Sequence, residues 1–167
     1  MDDGYLIDPE RIASKAMVFE GTLLPAGLER LAGSLADGRG ELHFKLTARL
    51  DRLGRKVVSC IIEGFVFLTC QSSLDAFRHA ISIDDRLVLV GSESELPSVE
   101  EESDAEDYLV ADGPLDIRGL VEDAVLLALP MVPRKPGLEV LRQTREAAPG
   151  ESPFAALASL TKTDKPT

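Results

Sequence analysis

The sequence predicts an α+β fold: an antiparallel β-meander, open or barrel-like, packed with a helix in the C-terminal half and preceded by short N-terminal helices. Three observations predict it. Residues 41–50 alternate strictly between apolar and polar side chains, which is the period of a half-buried strand. Three more strand-like stretches follow, separated by turn residues or acids. From Asp116 onward apolar residues recur at helical spacing instead. The chain has 167 residues, 44% of them apolar, enough for one domain with a real core.

Taken in order, Asp8, Pro9 and Glu10 read as the start of a short helix reaching about Ser14: a capping side chain, a proline at the first helical position and an acid at the positive end of the dipole. Met17 to Leu23 reads as a strand. Pro25 to Leu35 reads as a second helix, with Leu28, Leu31 and Leu35 on one face, broken by the stretch from Asp37 to Gly40. In the strand from Glu41 to Leu50, Leu42, Phe44, Leu46, Ala48 and Leu50 alternate with Glu41, His43, Lys45, Thr47 and Arg49. A turn over Asp51 to Arg55, with Gly54 free to take positive φ, leads into a long strand from Val57 to Cys70. Val58, Cys60, Ile62, Val66 and Leu68 mark one face, and Ile61, Phe65 and Phe67 the other, the pattern of a central strand covered on both sides. Ala76–Ile83 and Arg86–Gly91 read as two further strands parted by Asp84 and Asp85. Tyr108 to Val110 reads as a short returning strand. The helix begins at its cap, Asp116, and runs to Leu129, with Leu120, Val121 and Leu127 expected on the sheet; Pro130 stops it.

Charge is concentrated in one segment. Glu93, Glu95, Glu100, Glu101, Glu102, Asp104, Glu106, Asp107 and Asp112 lie there without a base among them; subtracting these nine from the net charge of −11 leaves −2. Residues 93–112 are therefore expected to be a mobile acidic loop, too poor in apolar surface to fold alone. The domain is expected to span residues 1–134. Residues 135–167 form a mildly basic, proline-punctuated tail with an amphipathic island at residues 153–160 around Phe154. That island suits either a helix docked on the core or a partner-binding segment.

No catalytic constellation is visible: there is no phosphate loop, nucleophile elbow or CxxC pair, and His43 and His79 lack helical metal spacing. Cys60 and Cys70 read as small buried hydrophobes. A non-enzymatic protein with no cofactor and no metal is the expectation. The opening residues carry no apolar signal core, and the run from Ala124 to Leu129 is too short to span a bilayer, so a cytoplasmic location is expected.

Two sets of charges could meet a partner. Lys45, Arg49, Arg52, Arg55 and Lys56 cluster on the polar face and tip of the hairpin. They suit phosphate contact, or the charged protection that sheet edges commonly carry. Glu100, Glu101, Glu102, Glu122, Asp123 and Phe154 are the candidates for a protein partner. Glu122 and Asp123 are adjacent on the helix and point about 100° apart, which suits favourable charge near the helix start better than paired acid–base work.

Three stretches resemble a known bacterial family. Residues 64–73, GFVFLTCQSS, are similar to a segment of the form G-x-V-x-x-x-C-Q-R-C in the YceD family. Residues 116–133, DIRGLVEDAVLLALPMVP, resemble that family's signature L-V-E-D-E-L-L-L-A-L-P-x-x-P, and residues 152–160, SPFAALASL, its ending N-P-F-A-x-L-A-x-L. Ser73 stands where many members carry a second cysteine, which removes the basis for a zinc role. The resemblance implies a ribosome biogenesis factor needed for synthesis, processing or accumulation of 23S ribosomal RNA. It would act by binding ribosomal RNA, its precursor or a ribosome-assembly protein. The alternative is an acidic adaptor for a basic RNA-processing or ribosomal protein, without direct RNA contact. DNA and membranes are not expected partners.

Overall fold

The computed structural model describes residues 6–98 and 106–137. In chain order the elements are β1 (Leu6–Ile7), β2 (Met17–Leu23), α1 (Glu29–Ala32), β3 (Gly40–Leu50), β4 (Lys56–Thr69), β5 (Ala76–Val90), β6 (Asp107–Val110), β7 (Leu115–Asp116) and α2 (Ile117–Ala128). The main sheet has five strands in the order β2-β3-β4-β5-β6, and β1 pairs with β7 in a second, two-stranded sheet. β2 to β5 form the expected antiparallel meander. The sheet has two distinct edges and does not close, so the barrel-like alternative is corrected.

The alternating strand fell where its pattern placed it. Leu42, Phe44, Leu46 and Ala48 are buried while His43, Lys45 and Arg49 are exposed. Four elements differ from expectation. The two strands drawn between Ala76 and Gly91 are one: Asp84 and Asp85 stay in the ladder opposite Ile61 and Cys60. The short returning strand, β6, pairs with β5 in parallel, Leu87 opposite Asp107 and Val90 opposite Val110. The segment between β5 and β6 is long enough for the crossover that a parallel pair needs. The first expected helix is a 3-10 turn, Pro9–Arg11, capped by Asp8 through Glu10 N at 2.9 Å. The second is split into a 3-10 turn, Pro25–Gly27, and the four-residue α1, because Leu28 between them is extended (φ −105°, ψ 101°). Gly27 supplies little helical propensity to bridge that break.

One face of the sheet carries the core. Leu46, Val58, Ile62 and Val66 meet Ile117, Val121 and Val125 of α2, with Ile7 and Leu31 closing the end. Burial of such side chains contributes about 1.5–3 kcal/mol each. Asp116 caps α2 as expected, accepting from Arg118 N and Gly119 N at 3.1 Å each. Leu127, however, is 87% exposed and does not pack on the sheet. At 100° per residue Ile117, Val121 and Val125 centre the buried stripe, and Leu127 lies about 120° from Val121. The apolar arc of α2 is therefore wider than its contact with the sheet.

β4 is central, but its outer face is uncovered over most of its length. Ile61 there is 42% exposed. Phe65 and Phe67, expected in the core, lie half-buried on this outer face at an edge-to-face centroid distance of 6.1 Å. At the same end β3 and β4 approach closely. Gly64 sits at φ +156°, and a Cβ there would lie 2.0 Å from the carbonyl oxygen of Glu41.

Candidate functional site

The hairpin bases do not form one free cluster. Lys45 and Arg49 are exposed on the outer face of β3, and Arg52 is exposed at the hairpin tip. Lys56 pairs with Leu50 and Leu89 and so takes the opposite, core-side face of β4. Arg55 is half-buried and held by acids of the fold. Its Nε donates to Asp51 at 2.8 Å and its terminal nitrogens donate to Glu106 at 3.0 and 3.1 Å. Asp51 organises this corner: one oxygen accepts from Leu53 N and Arg55 N, the other from the side chains of Arg55 and Arg86. Burial pushes the Asp51 carboxyl up, but these donors hold it below the usual range. Arg86 Nε lies 2.9 Å from Glu106 without hydrogen-bond alignment. This network roofs Val57 and Val88, which are buried on the otherwise open face.

The rest of the outer face mixes its signs. Glu20 lies opposite Lys45 and Glu63 opposite His43. His43 also accepts or donates a hydrogen bond with Thr22 Oγ1 at 2.9 Å and lies 2.6 Å from Glu41. Two guanidinium groups stack on the half-buried rings, Arg39 at 4.2 Å from the Phe67 centroid and Arg78 at 4.1 Å from Phe65. A cation over a ring face is attracted by its quadrupole.

Of the acidic candidates, Glu122 is 8% exposed and works inside the fold. Its Oε1 accepts from Arg30 N at 2.7 Å and Leu31 N at 3.0 Å, and its Oε2 from Arg30 Nε at 3.1 Å. Leu28, at the N-cap position of α1, has no side chain to offer, so Glu122 caps α1 from another helix. Burial raises its pKa; the donors from Leu31 and Arg30 overcome that and hold it low. This corrects the expectation of favourable charge at the start of α2, whose first turn has no acid. Asp123 is exposed and pairs with the same Arg30. Glu100, Glu101, Glu102 and Phe154 lie outside the described residues, as do the rest of residues 99–105 and the tail beyond residue 137; the remainder of the expected acidic loop is described and holds a 3-10 turn, Glu93–Glu95, and β6.

Sequence reasoning missed a trough of about 710 Å³ between α2 and the β5–β6 edge. Leu87, Leu96, Leu109, Leu120, Ala124 and Leu127 line it, with Asp85, Glu106, Asp107 and Asp123 among them. Its helical wall is the flank of α2 left over by sheet packing. Asp85 is raised by burial, then by Asp107 and Asp84. The Cys60 thiol beside it is pushed up to about 12 by burial, then by Asp85 and Asp84, which makes it a poor nucleophile or metal ligand. The signal that could have found this site was an acidic pair interrupting the apolar face of β5, with Asp85 at a core-facing position.

Cys70 is buried at the end of β4. Donors from Lys135 N, at 3.4 Å, and from Ser73 and Ser72 lower its thiol to about 6. Among the described residues no group of three or more His, Cys, Asp or Glu side chains could hold a metal ion, and no helix is long and apolar enough to cross a membrane.

The residues described are thus a small α+β domain on an open sheet, in which one helix clasps the core and Arg30, Arg55 and Arg86 are paired with acids of the same fold. The chain belongs to the YceD family: the profile described as large ribosomal RNA subunit accumulation protein YceD matches residues 58–161. That match runs from Val58 in β4 through α2, including Glu122 and the residues lining the trough, but not Arg30 and Leu31. The chain is also 26% identical over 166 residues to the large ribosomal RNA subunit accumulation protein YceD of Haemophilus influenzae, covering 92% of this chain and 93% of the relative. No solved structure gives a significant match.

Proposed function

We propose that this chain promotes accumulation of large-subunit ribosomal RNA as a cytoplasmic, non-catalytic binding factor that engages a basic protein rather than the RNA itself. The process comes from the description its family and its relative carry. The choice of a protein partner rests on one observation. Arg55, the centre of the predicted basic cluster, is consumed by Asp51 and Glu106, while Lys56 takes a different face from Lys45 and Arg49. Phosphate contact needs several cations presented together, since each neutralised phosphate adds its own counterion release. The uncompensated charge on this chain is negative, and complementary charge steers association with basic partners such as ribosomal proteins.

Direct RNA contact is the second reading. Arg39 over Phe67 and Arg78 over Phe65 favour it, because ring and guanidinium planes are surfaces on which an unpaired base stacks. A pull-down with and without nuclease separates the two: the first reading expects basic proteins to stay bound after nuclease treatment. Filter binding at two salt concentrations, with Arg49→Glu, Arg52→Glu and Lys56→Glu combined, completes the test. Strong RNA binding by the wild type whose salt slope flattens in this variant would overturn the protein-partner reading.

A further inference from the structure

We infer that the trough between α2 and the β5–β6 edge is a docking site for a basic amphipathic segment of a partner protein, which inserts an apolar side chain against Leu120 and Leu127 and sets Lys or Arg on Asp85 and Asp107. This rests on the protein-partner reading above and names its site. Among the described residues the wall is apolar and unpartnered: Leu127 is 87% exposed, while Glu122 on another flank of the same helix reaches α1. Leu120, Ala124 and Leu127 recur at three- and four-residue spacing, so they form one continuous stripe that another chain can cover.

Charge selects the occupant. Glu106 and Asp123 are already paired, with Arg55 and Arg30 respectively. The carboxylates of Asp85 and Asp107 have no hydrogen bond or ion pair with any described residue, and Asp107 adds to the burial that disfavours charge on Asp85. Desolvating two like charges beside an apolar wall is unfavourable until a cation joins them. Two of the chain's own segments do not supply one. Residues 99–105 carry Glu100, Glu101, Glu102 and Asp104, and residues 152–160 contain no Lys or Arg.

The test uses the full chain and a labelled synthetic peptide of Lys and Leu in amphipathic helical order, titrated by fluorescence anisotropy, beside a Glu and Leu counterpart. The Lys peptide should bind and the Glu peptide should not. Asp85→Asn with Asp107→Asn should weaken binding by about tenfold, and Leu127→Ser by several-fold. Glu41→Gln with Glu63→Gln removes the same charge from the outer face and should leave binding unchanged. An equal loss in that outer-face variant would reduce the effect to diffuse charge and overturn the site. Failure of the wild type to bind the Lys peptide overturns it as well. Tighter binding by Phe154→Ser would show that the trough is filled by this chain's own segment, and would also overturn the proposal. Failure of the trough remains distinct from failure of the broader reading. Nuclease-resistant basic proteins that stay bound to Asp85→Asn with Asp107→Asn would leave that reading intact while removing this site. Their absence from the wild type would remove the reading instead.

Discussion

Replacing Glu122 by alanine removes a helix cap that comes from another helix. Two backbone donors lose their acceptor, Arg30 N at 2.7 Å and Leu31 N at 3.0 Å. An N-cap loss costs about 1 kcal/mol, and leaving the buried Leu31 N–H unsatisfied adds about another 1 kcal/mol. The bond from Arg30 Nε is to a half-exposed guanidinium and contributes only about 0.5 kcal/mol after screening. The total is about 2.5 kcal/mol, or a fall in Tm of roughly 8–10 °C for a domain of this size. Asp123→Ala breaks only the exposed pair to the same arginine and should cost below about 1 kcal/mol. Glu122→Gln keeps an acceptor and loses the charge, so its deficit should depend on pH. The folded-state pKa of Glu122 is depressed, so the wild type's advantage is present above the ordinary glutamate value of 4.5 and is lost as pH falls through the folded pKa. Thermal melts of the four proteins between pH 3 and 8 measure this. If Glu122→Ala melts no lower than Asp123→Ala, the clasp contributes nothing and the capping argument is wrong.

Three further outcomes are expected. Leu127→Asp should shift stability by less than about 0.5 kcal/mol in a chemical melt, because the side chain is exposed and its loss leaves no cavity. Gly64→Ala should destabilise by about 3 kcal/mol or more, since its Cβ would meet backbone 2.0 Å away and no rotamer can relieve that clash; an unchanged Tm would show that the strands separate without cost. Asp85→Asn should raise Tm at neutral pH, because the wild-type carboxyl is raised by burial and by Asp107 and Asp84. For an acid with a raised folded pKa, stability falls as pH rises through the interval between the unfolded and folded values. The asparagine variant's gain should therefore vanish below about pH 4; a gain that persists there would point to packing instead.

What the sequence disclosed, it disclosed through period and local chemistry. β3 was legible because ten residues alternate without exception, and α2 because Asp116 caps a helical pattern that Pro130 ends. The partner of Arg55 was not legible, since Glu106 lies 51 positions away and no local pattern links them. Glu122 reaches Arg30 over 92 positions, although Leu28 at a capping position was itself a sign that α1 draws its acceptor from elsewhere. Phe65 and Phe67 looked like core because a ring covered by an arginine has the same pattern as a ring covered by a second layer. The direction of β6 could not be read at all: a strand of four residues carries no mark of parallel or antiparallel pairing. Leu127 was misjudged for a different reason. Its stripe is apolar as expected, but the buried contact is centred on Ile117, Val121 and Val125 and does not reach it.

The clasp between α1 and α2, together with the pairing of β1 to β7, also sets an order of events during synthesis. Leu6 waits for Asp116 and Arg30 waits for Glu122, so the first residues described find their partners only after most of the chain has been made. Contacts so distant in sequence slow folding, because the loop must close before they reward it. Until α2 emerges, a nascent chain holds a completed hairpin stack with one greasy side facing water, bearing Leu46, Ile62 and Val66. Translation products interrupted before residue 115 should therefore be clients for chaperones rather than partly working fragments.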